Sequence, residues 1–147
     1  SHGLEEKILL VGHCSDMPAA LLLADVVISA SSTKPEAFGK VAIEAMAMGK
    51  QVIATAHGGS LATVVPGRTG WLVPPLEPQS MSIAIFEALS DLDNTEKLGR
   101  QGRVWVGEHF TTKIMCEKMA ALYGEVHMEK KKRTRGHAPE KKRNNTK

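Results

Sequence analysis

The sequence predicts an α/β domain built on a parallel sheet. Three observations carry that reading. Short β-branched runs close on glycine or proline, helix-forming stretches alternate with them, and 147 residues suffice for one compact domain. Hydrophobic residues at 42 % and charged residues at 24 % are the balance of a folded chain rather than a disordered one.

Taken in order, Lys7-Ile-Leu-Leu-Val-Gly12 is an apolar run ending in glycine, predicted as a buried strand and its turn. Ser15 or Asp16 caps a helix over Met17–Ala24, with Pro18 in its first turn, where a missing N–H costs nothing. Asp25-Val-Val-Ile-Ser-Ala30 is a second buried strand, and Ser31 to Pro35 a polar loop. Phe38 to Met48 is a helix ended by Gly49. Gln51-Val-Ile-Ala-Thr55 is the third strand and His57-Gly58-Gly59 its turn. A short helix over Leu61–Val65 leads to a fourth strand, Gly70-Trp-Leu-Val73, stopped by Pro74-Pro75. From Pro78 the pattern turns helical, with Met81, Ile85, Ala88 and Leu92 on one face. Helices over Thr95–His109 and Thr111–Met128 follow, and Met115, Met119, Leu122 and Val126 recur in the last at three and four.

Charge divides the chain at Met128. Residues 129–147 hold nine Lys/Arg and two Glu, against ten basic and fourteen acidic residues before them. The domain expected over 1–128 is therefore mildly acidic, and the basic character belongs to a disordered tail over 129–147. Its cations suit nucleic acid, anionic lipid or an import receptor, yet no aromatic residue is interleaved to stack on bases. A weakly attracting tail is the preferred reading, and nucleic acid is not the expected partner. Two cysteines, Cys14 and Cys116, are too few for a disulfide framework and suggest a reducing compartment. No apolar run is long enough to span a membrane and no signal peptide is legible, so the expected location is cytoplasmic.

Parallel sheets bind ligands at the carboxyl ends of their strands, which singles out the loop after the second strand. It runs Pro35-Glu36-Ala-Phe-Gly39-Lys-Val-Ala-Ile-Glu44-Ala-Met-Ala-Met-Gly49. The amides of Phe38, Gly39, Lys40 and Val41 fall at a helix N-terminus, where orphan N–H groups and the helix dipole favour an anion. Glu36 lies just before that helix and Glu44 about two turns inside it. A carboxylate accepting from vicinal hydroxyls is a ribose clamp, so the pattern fits a phosphate flanked by hydroxyl-rich groups.

Those residues, followed by Val52-Ile-Ala-Thr and Gly58-Gly59, resemble the donor-binding half of retaining glycosyltransferase family 4. The two glutamates look like that family's E-x7-E motif. Val11-Gly12, Ala24-Asp25-Val26-Val27, Thr69-Gly70-Trp-Leu-Val73, Phe110-Thr111 and Leu122-Tyr123 match in the same order, roughly over residues 4–124. The resemblance implies the GT-B architecture, in which two Rossmann-like domains face each other. This chain would be a doubly wound, partial donor domain with trailing C-terminal helices. It further implies transfer of a hexose from a nucleotide-diphosphate sugar, with retention, to an acceptor that is a glycan, a lipid or a small molecule. A lipid acceptor places the protein at the inner face of a membrane. Glu36 would contact the sugar near its anomeric centre, the Phe38–Val41 amides would hold diphosphate and sugar, and Glu44 would accept from both ribose hydroxyls. No cofactor and no metal are implied.

Three departures accompany the match. The family's phosphate-pairing Arg and Lys lie upstream of where this chain starts, the acceptor domain is missing, and Ala62 stands where a Glu is usual. A separate N-terminal half is therefore an expected partner, the chain alone is expected to be inactive, and a non-catalytic nucleotide-sugar-binding or interaction module is the alternative. Gly58 and Gly59 either let the next helix approach the ligand or only make the turn. Lys40 is read as a phosphate cation or, at least as well, as a backbone contact with an outward side chain, and His57 as a donor contact or, by preference, a solvated loop histidine. Asp91-Leu92-Asp93 has the spacing of a metal-binding D-x-D but falls at a helix end rather than after a strand. Trp71 and Trp105 read as packing residues.

Overall fold

The structure is a computed structural model that describes residues 3–31, 33, 34 and 37–135, with 131–135 described by their helical backbone alone. It divides into two compact units, residues 1–109 and residues 110–147. The first is an α/β unit in which β1 (Val26–Ser29), β2 (Gln51–Thr55) and β3 (Gly70–Val73) form one parallel sheet in the order β1-β2-β3. Val27 pairs with Val52, and Ile53 with Trp71. All five residues of β2 are buried. Successive side chains on a strand point to opposite faces, so both faces of the sheet are covered.

Helices α1 (Met17–Leu23) and α2 (Lys40–Ala47) precede and follow β1, and α3 (Ser60–Thr63) links β2 to β3. The Asp16 carboxylate accepts from the Ala19 amide and caps α1, while Pro18 occupies its first turn. Helix α4 (Pro78–Ser90) covers Ile53 and Val73 with Ala84 and Ala88, and Met81 and Ile85 pack on that cluster. Helix α5 (Leu92–His109) packs on α2, where Gly102 leaves room for the Met46 side chain. A methyl on Gly99 would collide with the Gly49 carbonyl, so glycine sets how closely α5 approaches the sheet. Trp105 donates from Nε1 to the Thr63 carbonyl at 3.1 Å, stacks on His109 and lies beneath Arg68. Both tryptophans are partly buried packing residues.

Three expectations are corrected. Lys7–Gly12 forms no strand: Ile8 to Val11 carry no sheet pairing, and Leu9 and Leu10 are 86 % and 93 % exposed. An apolar β-branched run specifies strand propensity but becomes a strand only beside a partner edge. Helix α2 starts at Lys40 rather than Phe38, because Gly39 is its N-cap in the left-handed conformation (φ 73°). Leu92 does not extend the α4 face. Asp91 ends α4 and its side chain accepts from the Asn94 amide, capping α5, so Leu92 starts a new helix and is exposed. That capping bond gives the first carboxylate of Asp91-Leu92-Asp93 a structural role.

The second unit contains α6 (Thr112–Arg135), whose first turn is capped by the Thr111 hydroxyl accepting from the Ile114 amide. The helix runs past Met128 through residues 129–135, seven residues that the sequence assigned to the tail; residues 136–147 lie outside those described. Met115, Met119, Leu122 and Val126 are exposed. No helix among the described residues is long and apolar enough to cross a membrane.

Two glycines of α5 predict opposite outcomes for one substitution. Gly99→Ala is expected to destabilise the chain by about 1–3 kcal/mol through overpacking against backbone. Gly107→Ala, with open space around it, is expected to stabilise by about 0.5–1 kcal/mol through helix propensity. Urea denaturation of both variants measures this, and shifts of the same sign would contradict the packing described for α5.

Candidate functional site

The strands are parallel, so the loops after β1, β2 and β3 all leave from the same end of the sheet. Two of those loops meet. The Thr55 hydroxyl at the end of β2 donates to the Ser31 carbonyl at 2.7 Å, tying the loop after β1 to its neighbour. Beyond that tie, Gly39 and Gly59 pack backbone to backbone. A Cβ on Gly39 would stand 3.3 Å from the Gly59 carbonyl carbon and 3.4 Å from the Ser60 nitrogen, while a Cβ on Gly59 would overlap Phe38. Gly59 must be glycine for the loops to touch, and Gly39 is favoured by the tight fit and by its positive φ. Gly58 also has a positive φ and is exposed, whereas Gly59 is buried.

The N-terminus of α2 lies at this contact. The first bond of its ladder is Ile43 N–H to the Gly39 carbonyl, so the amides of Lys40, Val41 and Ala42 precede it and face outward along the axis. Phe38 sits one residue before the cap, outside the helix, and its side chain is exposed. Glu44 lies four residues beyond Lys40, about 6 Å along the axis, a little over one turn rather than two. Lys40 Nζ and Glu44 Oε1 are 3.6 Å apart, with 79 % and 40 % of the side chains exposed. An ion pair so exposed contributes about 0–1 kcal/mol. Its effect is to hold both side chains on one stripe of α2.

The structure thus brings together Gly39, Lys40, Val41, Glu44, Gly58 and Gly59, with Phe38 beside them. Glu36 and Pro35 lie outside the described residues. Ala62 is exposed on α3. Ser60 was not singled out in the sequence: it is buried at the glycine contact, and its hydroxyl has no hydrogen-bond partner. The Nδ1 of His57, two residues before Gly59, is likewise buried and unpartnered, although the residue as a whole is half-buried in its turn. The one legible signal was position, since both residues flank the Gly-Gly pair.

Between β1, β2 and β3 at the same end is a cavity of about 220 Å³ lined by Ala30, Thr55, Pro74, Leu76 and Met81. Leu76 has a positive φ of 63°, a strained conformation for a bulky side chain.

A parallel α/β domain whose glycine loops converge on a helix N-terminus belongs to the class of folds that bind ligands at the carboxyl edge of the sheet. Comparison with known proteins narrows the class. Residues 1–105 match the family described as Glycosyl transferases group 1, and the chain belongs to that family. It is 31 % identical over 117 residues to the capsular polysaccharide biosynthesis glycosyltransferase CapM of Staphylococcus aureus, covering 80 % of this chain and 30 % of CapM. It is 30 % identical over 121 residues to an alpha-1,3/1,6-mannosyltransferase of Dictyostelium discoideum, covering 82 % of this chain and 29 % of that protein. Among solved structures, sucrose-phosphate synthase from Thermosynechococcus elongatus superposes with a TM-score of 0.76 at 36 % identity, over 86 % of this chain and 32 % of the synthase. Anabaena HepE in complex with UDP and glucose gives 0.78 at 29 %, over 84 % and 33 %. The chain spans about 30 % of the length of these two curated relatives.

The glycine contact yields its own prediction. Gly59→Ala is expected to lower stability by about 1–3 kcal/mol, because its methyl meets Phe38 backbone that has no flexible end to move. Gly49→Ala, at positive φ but in open space, is expected to lose about 1–2 kcal/mol from backbone conformation alone. Amide hydrogen exchange separates the two. Gly59→Ala speeds exchange across residues 37–41, Gly49→Ala does not, and unchanged exchange at 37–41 in Gly59→Ala would contradict the contact.

Proposed function

We propose that this chain is the donor-binding part of a retaining glycosyltransferase of the family 4, GT-B kind. It transfers a hexose from a nucleotide-diphosphate sugar to an acceptor that is a glycan, a lipid or a small molecule. The observation that carries the reading is the meeting of Gly39 and Gly59 at the start of α2. It sets the backbone of two loops beside a helix N-terminus with little side-chain bulk between, as close approach to a diphosphate requires. That HepE was solved with UDP and with UDP-glucose supports a nucleotide-sugar donor.

In this reading the Lys40 and Val41 amides receive the diphosphate, with Phe38 and Gly39 closing over it. Gly58 and Gly59 let the second loop approach. Glu44, held on the same stripe by Lys40, accepts from the ribose hydroxyls, and Glu36 contacts the sugar near its anomeric centre. Charge develops on the departing nucleoside diphosphate, and fixed amide donors stabilise it without reorganising. The acceptor domain and the basic side chains that complete neutralisation come from an N-terminal half outside this sequence. A cytoplasmic location, at the inner membrane face for a lipid acceptor, accompanies the reading. The alternative is a non-catalytic module that binds nucleotide sugar or another protein. It draws on the exposed, unpaired Ile8–Val11 segment.

Glu44→Gln is expected to weaken nucleoside diphosphate binding by about 1–3 kcal/mol, the scale for hydrogen bonds to a charged group, with little change in melting temperature. Calorimetry with UDP, GDP and ADP reads it. Equal wild-type affinity for a ribonucleotide and its 2′,3′-dideoxy form would remove Glu44 from the ribose.

The chain alone is expected to give no multiple-turnover transfer, measured as nucleoside diphosphate release from a panel of sugar nucleotides with and without acceptor extracts. An acceptor that nothing orients forgoes much of the roughly 7–11 kcal/mol available from proximity. Sustained turnover by the 147-residue chain would overturn the assignment of an absent half.

A further inference from the structure

Buried hydroxyls in this fold nearly all find an acceptor. Thr55 donates to the Ser31 carbonyl, Thr63 to the Gly59 carbonyl at 3.1 Å, and Thr95 to the Ala88 carbonyl at 2.6 Å. Among the described residues, buried side-chain polar atoms with no partner belong to Gln51, His57 and Ser60. Gln51 opens β2, at the far end of the sheet from the glycine loops. The other two bracket Gly58-Gly59.

Ser60 is 1 % exposed and its nitrogen lies against Gly39, the N-cap of α2. A hydroxyl left unpaired there costs stability in the folded chain, a cost that an accepting ligand atom would relieve. The group is well suited to one. A turn about χ1 re-aims the oxygen without moving backbone, and a hydroxyl donates to an anion without having to bury a counter-charge. His57, fixed at the turn by its amide donating to the Thr55 carbonyl at 2.7 Å, leaves Nδ1 unpartnered beside the same loop.

We propose that the Ser60 hydroxyl is a binding group for the anionic, diphosphate end of the ligand, with His57 beside it as a second polar contact. The inference rests on the donor-binding reading above and adds to the backbone amides a side-chain donor from the loop after β2. It makes stability and binding move in opposite directions on one substitution. A purely structural serine would move them together.

The test uses the whole chain, its Ser60→Ala variant, and Ser60→Cys as a variant of the same shape with a larger, weaker donor. Each is titrated with UDP, GDP and ADP by calorimetry and melted without ligand. For whichever nucleotide binds the wild type, Ser60→Ala is expected to bind roughly tenfold more weakly, as for loss of one hydrogen bond to a charged group. Its melting temperature is unchanged or higher, and Ser60→Cys falls between the two in affinity. Equal affinity in wild type and Ser60→Ala overturns the assignment of Ser60 and leaves the donor-binding reading standing. A Ser60→Ala variant that both melts lower and binds more weakly identifies a structural hydroxyl and also overturns it. A wild type that binds none of the three nucleotides overturns both.

Discussion

Strand β2 is the constraint from which the rest of the α/β unit follows. Its five residues are buried on both faces, and its backbone pairs with β1 on one side and β3 on the other. Burial on both faces demands helices above and below, which α4, α2 and α5 supply. Parallel pairing on both edges demands crossovers rather than hairpins, so every strand hands its chain to the same end of the sheet. The loops that carry the glycines are therefore neighbours by topology before any side chain is considered.

Topology brings the loops close, and the absence of side chains lets them touch. Gly39 turns the chain into α2 with a positive φ, and Gly59 accepts the Phe38–Gly39 backbone where any Cβ would intrude. The same device recurs at the back of the sheet, where Gly99 and Gly102 admit the Gly49 carbonyl and Met46. Backbone approaching backbone is thus used twice, once to bring two loops together at the start of α2 and once to close the core. Unpartnered buried polar atoms occur at both places among the described residues, on His57 and Ser60 at the first and on Gln51 at the second.

Much of this was legible because the signals are local. Asp25–Ala30, Gln51–Thr55 and Gly70–Val73 announce themselves by β-branched runs with turn residues at their ends, and each contains its observed strand. Asp16 and Pro18 mark the start of α1 in the same way. What was not legible depends on what lies across from a residue. Lys7–Gly12 has the composition of a strand, but composition says nothing about whether an edge is available to pair with it. Leu92 fits the α4 period, and only the Asp91 cap reveals that a new helix begins there. The site is split similarly. The glycines and Glu44 were readable from motif and spacing, whereas the burial of Ser60 arises from the packing of two loops distant in sequence. Glu36 was named from the motif alone, and its placement lies outside the described residues.

The Ile8–Val11 segment has a colloidal consequence. Ile8 to Val11 are four consecutive exposed apolar residues, and β1 is an edge of the sheet among the described residues. Exposed apolar runs and open edges are both surfaces on which strand addition begins. Any polypeptide presenting a compatible strand competes for that edge, including further copies of this chain. A charged residue at Leu9 or Leu10 would act as a gatekeeper there, since neither side chain has a core to leave.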